Sequence, residues 1–131
     1  MIELPEEIEG VILCSLEGSP ISAVIQDQKD EHKIAAMMLA LGSVAKTAIK
    51  EVKQGKFKFL RIRAKGGNIF ILPISNKALF AAFTKANVDF EAIYLECKMI
   101  RKKIDKLLQK KHLTKPILLK LKKAEIMPYP N

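Results

Sequence analysis

Asp30–Val52 reads DEHKIAAMMLALGSVAKTAIKEV, and the placement of its apolar residues decides the fold. Ile34, Met38, Leu41, Ala45, Ala48 and Val52 recur at spacings of four and three, the period of one buried face of an α-helix. Ala36, Met37, Ala40 and Val44 form a second apolar strip beside the first. A belt this wide is covered on two sides, one against the chain's own sheet and the other against something else. The small residues Ala36, Ala40 and Gly42 admit a second helix at close range, so the expected cover is a copy of the same helix. Asp30 is placed to cap the helix, and Glu31 puts negative charge in its first turn, where the dipole favours it.

Working outward, Gly10–Leu16 (GVILCSL) and Ile21–Gln26 (ISAVIQ) are short β-prone runs joined by Glu17-Gly18-Ser19-Pro20, a turn sequence. The first run is apolar on both faces, so both faces of its sheet are expected to be covered. Gly55 ends the long helix. Phe57–Lys65 then alternates with period two, Leu60, Ile62 and Ala64 on one face and Arg61, Arg63 and Lys65 on the other. Gly66-Gly67 is read as the turn into Asn68–Ile74, and Ser75-Asn76-Lys77 as the turn into Ala78–Thr84. A second long helix is predicted over Asp89–Leu108, with Phe90, Ile93, Cys97, Ile100, Ile104 and Leu107 as its buried stripe. Thr114 and Pro116 are placed to start a short last helix, with Ile117, Leu118 and Leu121 as its apolar side.

The chain has 131 residues, 49% of them hydrophobic, enough for one packed core. Its formal charge of +9 is unevenly spread. Met1–Lys98 holds 13 Lys and Arg against 12 Asp and Glu, while Met99–Asn131 holds 10 basic residues against Asp105 and Glu125. The basicity is thus assigned to the C-terminal part. Cys14 and Cys97 lie in apolar segments without CxxC spacing, which points to reduced core thiols and away from disulfide or zinc chemistry. The acidic start, Met1–Glu9, is the reverse of a secretory signal, and no stretch approaches the ~20 apolar residues of a membrane span. A cytoplasmic location is expected.

The order strand, strand, helix, three strands, helix resembles the roadblock (dynein light-chain) family. The resemblance rests on the Glu17–Ile21 turn, on Glu31–Leu41 (EHKIAAMMLAL), on Gly67–Leu79 (GNIFILPISNKAL), and on Ala86–Leu108 with Leu95-Glu96 inside it. It implies an α/β (α+β) fold of roadblock/longin-like, profilin-like type, in which helices sandwich a five-stranded antiparallel sheet in the order β-β-α-β-β-β-α. It also implies that two copies pair through the central helix and the edge strand after it, as a homodimer or with a paralogous roadblock chain. Such dimers serve the family as non-enzymatic platforms for small Ras-like GTPases, in activation, exchange or assembly of larger complexes. The expected dimer surface is Ala36, Met37, Met38, Ala40, Leu41, Val44, Ala45, Ala48, Phe57, Phe59 and Arg61.

The sequence departs from the family in two places. Only nine residues precede Gly10, room for about two helical turns where the family has a full helix. The extension from residue 112 to 131 lies outside the family domain at 1–111, and its apolar residues are expected to take the missing helix's place. Lys102, Lys103, Lys110, Lys111, Lys115, Lys120, Lys122 and Lys123 are candidate contacts to a protein partner or an anionic lipid surface, with a nucleic-acid-binding module using the basic tail as a further alternative. Arg61, Arg63 and Lys65 beside Phe57 and Phe59 raise a nucleic-acid surface, against which a charged edge strand is the preferred explanation. Asp27, Asp30 and Glu31 raise a carboxylate site, but capping accounts for them. His32 and His112 read as surface residues, Gly66-Gly67 lacks both phosphate-loop spacings, and no catalytic, cofactor or metal site is assigned. A sensory domain with a ligand cavity is the alternative of another class. The all-apolar core positions Ile12, Leu13, Ile69, Ile71 and Phe83 disfavour it.

Overall fold

The computed structural model describes residues 2–26 and 30–110, and the backbone of 119–121. Its elements are β1 (Ile2–Leu4), β2 (Ile8–Ser15), β3 (Pro20–Val24), α1 (Glu31–Glu51), β4 (Leu60–Ala64), β5 (Gly67–Ile74), β6 (Ala78–Thr84), α2 (Phe90–Lys110) and β7 (Leu119–Leu121). Five strands form one sheet in the order β3-β2-β6-β5-β4, and every neighbouring pair in it is antiparallel. The sheet of the sequence reading is present, with α1 and α2 on opposite faces.

Alternation along the central strands explains the two layers. Val11, Leu13, Phe70, Leu72, Phe80 and Ala82 share a cluster with Ile93, Cys97, Ile100, Ile104 and Leu108 of α2. Ile12, Cys14, Ile71, Leu79 and Ala81, one step out of phase, share the other with Ala35 and Met38 of α1. Successive side chains of a strand point to opposite faces, so a strand apolar at every position builds two cores at once. Val11, Ile12, Leu13 and Cys14 are accordingly all buried.

Asp30 caps α1 through its carboxylate, which accepts from the backbone N–H of Lys33 at 3.2 Å. Gly55, in the left-handed region at φ +96, follows the helix end. The β4–β5 hairpin differs by one residue from the sequence reading. Ala64 pairs with Gly67, so the two-residue loop is Lys65-Gly66 and Gly67 belongs to β5. A side chain there would run into the carbonyl oxygen of Thr84 on the neighbouring strand, which is why the position is glycine.

The chain's start corrects a second expectation. No helix precedes β2; residues 2–4 form a strand, and β1 pairs in parallel with β7. Ile2, Leu4 and Ile8 are buried in the α2-side cluster with Ile104 and Leu108. The sequence left room there for about two helical turns and assigned the cover to the tail; Ile2, Leu4 and Ile8 contribute cover that it did not assign. The short terminal helix is likewise corrected at Leu119–Leu121, which is extended. Its expected beginning, Thr114 to Leu118, and His112 lie outside the described residues, as does Asp27.

Candidate interaction surface

Helix α1 turns a narrow face to the sheet. Ala35, Met38 and Gly42 are its buried residues, with Ile34, Leu39, Ala45 and Ile49 half-buried beside them. Gly42 shows how close the approach is: a Cβ there would lie 2.8 Å from Cδ1 of Leu79. The rotation of the helix, left open by spacing, is thereby set with Ala35, Met38 and Gly42 against the sheet. Leu41, Ala48 and Val52 of the first apolar strip are exposed, and Gly42, placed on the second-helix side, meets the chain's own sheet.

This rotation sorts the proposed dimer residues. Met37, Leu41, Val44 and Ala48 are spaced four, three and four apart, all exposed, with Met37 at 49% and Val44 at 69%. Ala36 and Ala40 border them and are exposed as well. Met38 is a correction: at 3% exposure it belongs to the protomer's own core and is not available to a second chain. Ala45 is half-buried toward the sheet. An uninterrupted apolar stripe remains along the solvent side of α1, the kind of patch that marks an interaction surface.

β4 is the last strand of the sheet, and among the described residues nothing pairs with its outer edge. Its side chains keep the alternation read in the sequence, Leu60 packing with the α1-side cluster and Phe59 with the α2-side cluster. The rings of Phe59 and Tyr94 of α2 lie 4.4 Å apart, tilted by 39°, and the guanidinium of Arg61 lies 4.8 Å from the ring centre of Phe90 and 5.5 Å from that of Phe70. Arg61 Nε and Nη2 both donate to Asn68 Oδ1, at 3.4 and 3.3 Å. Asn68 Nδ2 donates in turn to Thr84 Oγ1 and to the carbonyls of Lys85 and Ala86. Phe59 and Arg61, both half-buried, thus pack on the α2 side of their own chain. Phe57 is half-buried. What β4 offers a partner is its backbone edge.

Cys14 and Cys97 are buried and free. Burial pushes the Cys14 thiol up to about 11, and burial together with the neighbouring Glu96 carboxylate pushes Cys97 up to about 12. Both hold their protons more tightly than the ordinary value of 9.0, so this contribution to stability is whole below about pH 9 and is lost as pH climbs toward 12. Native protein is expected to resist iodoacetamide at mildly alkaline pH, with both thiols alkylated once denaturant is added. Rapid modification of the folded chain would contradict their place in the core. His32 is exposed, and among the described residues no group of three His, Cys, Asp or Glu is disposed to hold a metal. No described helix is long and apolar enough to cross a membrane.

Of the candidate lysines, Lys102 and Lys103 are exposed on α2, Lys110 ends that helix and Lys120 is opposite Glu3 in the β1–β7 register. Lys111, Lys115, Lys122 and Lys123 lie outside the described residues. The sequence reading missed a second basic region. Lys46, Lys50, Lys56 and Lys58, from the stretch taken as nearly neutral, line one groove with Lys98, Arg101 and Lys102. The available signal was spacing: Lys46 and Lys50, and likewise Lys98, Arg101 and Lys102, share a helical face at three and four residues.

Comparison with solved structures agrees on the architecture. MglB of Myxococcus xanthus superposes with a TM-score of 0.73 at 13% identity, over 79% of this chain and 85% of that one. A Roadblock/LC7 domain from Streptomyces avermitilis gives 0.72 at 17% identity, over 79% and 87%. The gliding protein MglB of Thermus thermophilus gives 0.68 at 8% identity, over 79% and 80%. No curated protein matches the sequence. The Roadblock/LC7 domain family matches residues 3–84, from β1 to the end of β6. With that match over most of the chain, and with the five-stranded sheet between α1 and α2 that its relatives share, the protein belongs to the Roadblock/LC7 domain family.

Proposed function

We propose that this protein is a non-catalytic scaffold in the cytoplasm, that it pairs with a second copy or a paralogous roadblock chain, and that the pair binds and modulates a small Ras-like GTPase. The observation that carries the pairing is the open stripe Met37, Leu41, Val44 and Ala48 on α1, a face of mostly large apolar side chains that the protomer leaves in water. Covering such a stripe releases about 25 cal/mol for each Å² of apolar surface removed from water. Ala36 and Ala40 beside it let two helix backbones approach, and the free edge of β4 extends the sheet across the same junction.

The GTPase reading rests on membership of the family and on what the resemblance implies. Acceleration of hydrolysis would proceed by arranging the GTPase's own groups, with activation, exchange and assembly as the three modes of such a platform. The unit proposed to do this is residues 1–111, with 112–131 as a basic extension. The test has two stages. Sedimentation of the wild type is expected to give a dimer, and Val44→Glu a folded monomer with an unchanged melting temperature, because position 44 is exposed within the protomer. Single-turnover GTP hydrolysis and nucleotide exchange by Ras-like GTPases from the same genome are then measured with each protein. A rate change given by the dimer and absent with the Val44 variant supports the whole reading. A monomeric wild type removes the pairing, and a dimer that neither binds nor alters any such GTPase removes the partner.

A further inference from the structure

The groove noted above runs between the second half of α1, the α1–β4 connection, the β5–β6 turn and the middle of α2, and encloses about 1020 Å³. Its cations come from three separate segments: Lys46 and Lys50 from α1, and Lys56 and Lys58 from the connection. Lys98, Arg101 and Lys102 complete the set from α2. Asp105 is the lone acid of the lining, held in place because its carboxylate accepts from Ser75 Oγ at 3.2 Å and from Gln109 Nε2 at 3.5 Å. Seven cations converging on one concavity repel one another, a cost that an anionic occupant relieves.

We propose that this groove docks an extended acidic segment of a partner protein, whose carboxylates meet the lysine walls while interleaved apolar side chains rest on the half-buried Phe57 and Pro73. Three features favour that occupant. The groove is concave, so a planar lipid surface reaches its rim and not its floor. Phe57 is the single aromatic of the lining, and Pro73 beside it offers no flat face on which a successive base would stack. The fixed carboxylate of Asp105 interrupts the cationic track, which penalises an evenly charged phosphate chain and leaves gaps in a spaced acidic peptide unharmed. Lysines, as flexible point charges, suit carboxylates at varied spacing.

The groove is independent of the α1 stripe. At ~100° per residue, Lys46 and Lys50 project roughly opposite to Met37, Leu41, Val44 and Ala48, so the groove's α1 wall is separate from the stripe, and Phe57 is the residue the two readings share. The experiment is fluorescence anisotropy on the full-length protein with a short fluorescein-labelled peptide alternating glutamate and leucine. The comparison probes are its glutamine counterpart, an oligo-dT of similar charge, and vesicles containing phosphatidylserine. Reversing Lys50, Lys98 and Arg101 together to Glu is expected to weaken the acidic peptide at least about tenfold. Arg63→Glu with Lys65→Glu, exposed on the far hairpin, is expected to leave binding unchanged. Melting curves of both variants confirm that each is folded. Binding of the acidic peptide that is lost only in the groove variant supports the proposal. Tighter binding of the oligonucleotide or the vesicles, survival of peptide binding after charge reversal, or no binding of the peptide overturns it.

Discussion

Met38→Glu is expected to unfold the protomer, whereas the same change six residues on, Val44→Glu, is expected to leave it folded. Met38 is 3% exposed and shares a cluster with Ile12, Ile71 and Leu79, whereas Val44 is 69% exposed. A carboxylate at position 38 would have apolar neighbours and no cation in its cluster, and an unpaired buried charge costs roughly 3–5 kcal/mol. That is a large part of the ~5–15 kcal/mol by which a domain of this size is stable. Circular dichroism during heating is the measurement: the variant should have lost its cooperative transition or have it lowered by tens of degrees. A melting temperature within a few degrees of wild type would mean that position 38 reaches solvent, and the assignment of α1's buried face would be wrong. The pair of variants separates loss of fold from loss of pairing, which neither does alone.

Gly67→Ala should be nearly as damaging, although it adds a single methyl group. The new Cβ would press on the Thr84 carbonyl oxygen, part of the backbone of the strand beside it, so no side chain can swing aside to make room. Relief requires the β5–β6 ladder to part at a point where Asn68 pairs with Thr84 and donates to Thr84 Oγ1 and the carbonyls that follow. Overpacking of this kind costs about 3 kcal/mol, and urea denaturation is expected to show a midpoint lowered to match. Gly66→Ala is the control, since a Cβ at Gly66 meets nothing within 4 Å. Equal stability of the two variants would show that the strand backbones yield at little cost, against the close approach seen here.

Much of the architecture was legible because strand and helix periods are strong signals. The uniformly apolar Val11–Cys14 announced a strand covered on both faces, and Ile93, Cys97, Ile100 and Ile104 announced the buried side of α2. The face of α1 was harder to read. Its apolar belt is so wide that spacing alone does not say which third meets the sheet, and the deciding residue, Gly42, has no side chain to register as hydrophobic. Arg61 was misread for a different cause. A long side chain can lay its stem and guanidinium over aromatic rings, so its charge does not reveal a wet face. The basic groove escaped because its cations are split among three segments, and a running tally of charge along the chain averages them against acids that lie elsewhere.

The parallel pairing of β1 with β7 has a consequence for how the molecule comes into being. Ile2–Leu4 are made well before their ladder partner Leu119–Leu121 and before Ile104 and Leu108, their buried neighbours. At synthesis rates of about 5–20 residues per second, the first strand waits on the order of 5–20 seconds before the segments that shelter it exist. The sheet from β2 to β6 is complete well before then, so a nascent chain has its central architecture in place while two apolar residues at its front remain in water. Synthesis of the α2 and β7 segments is what ends that exposure.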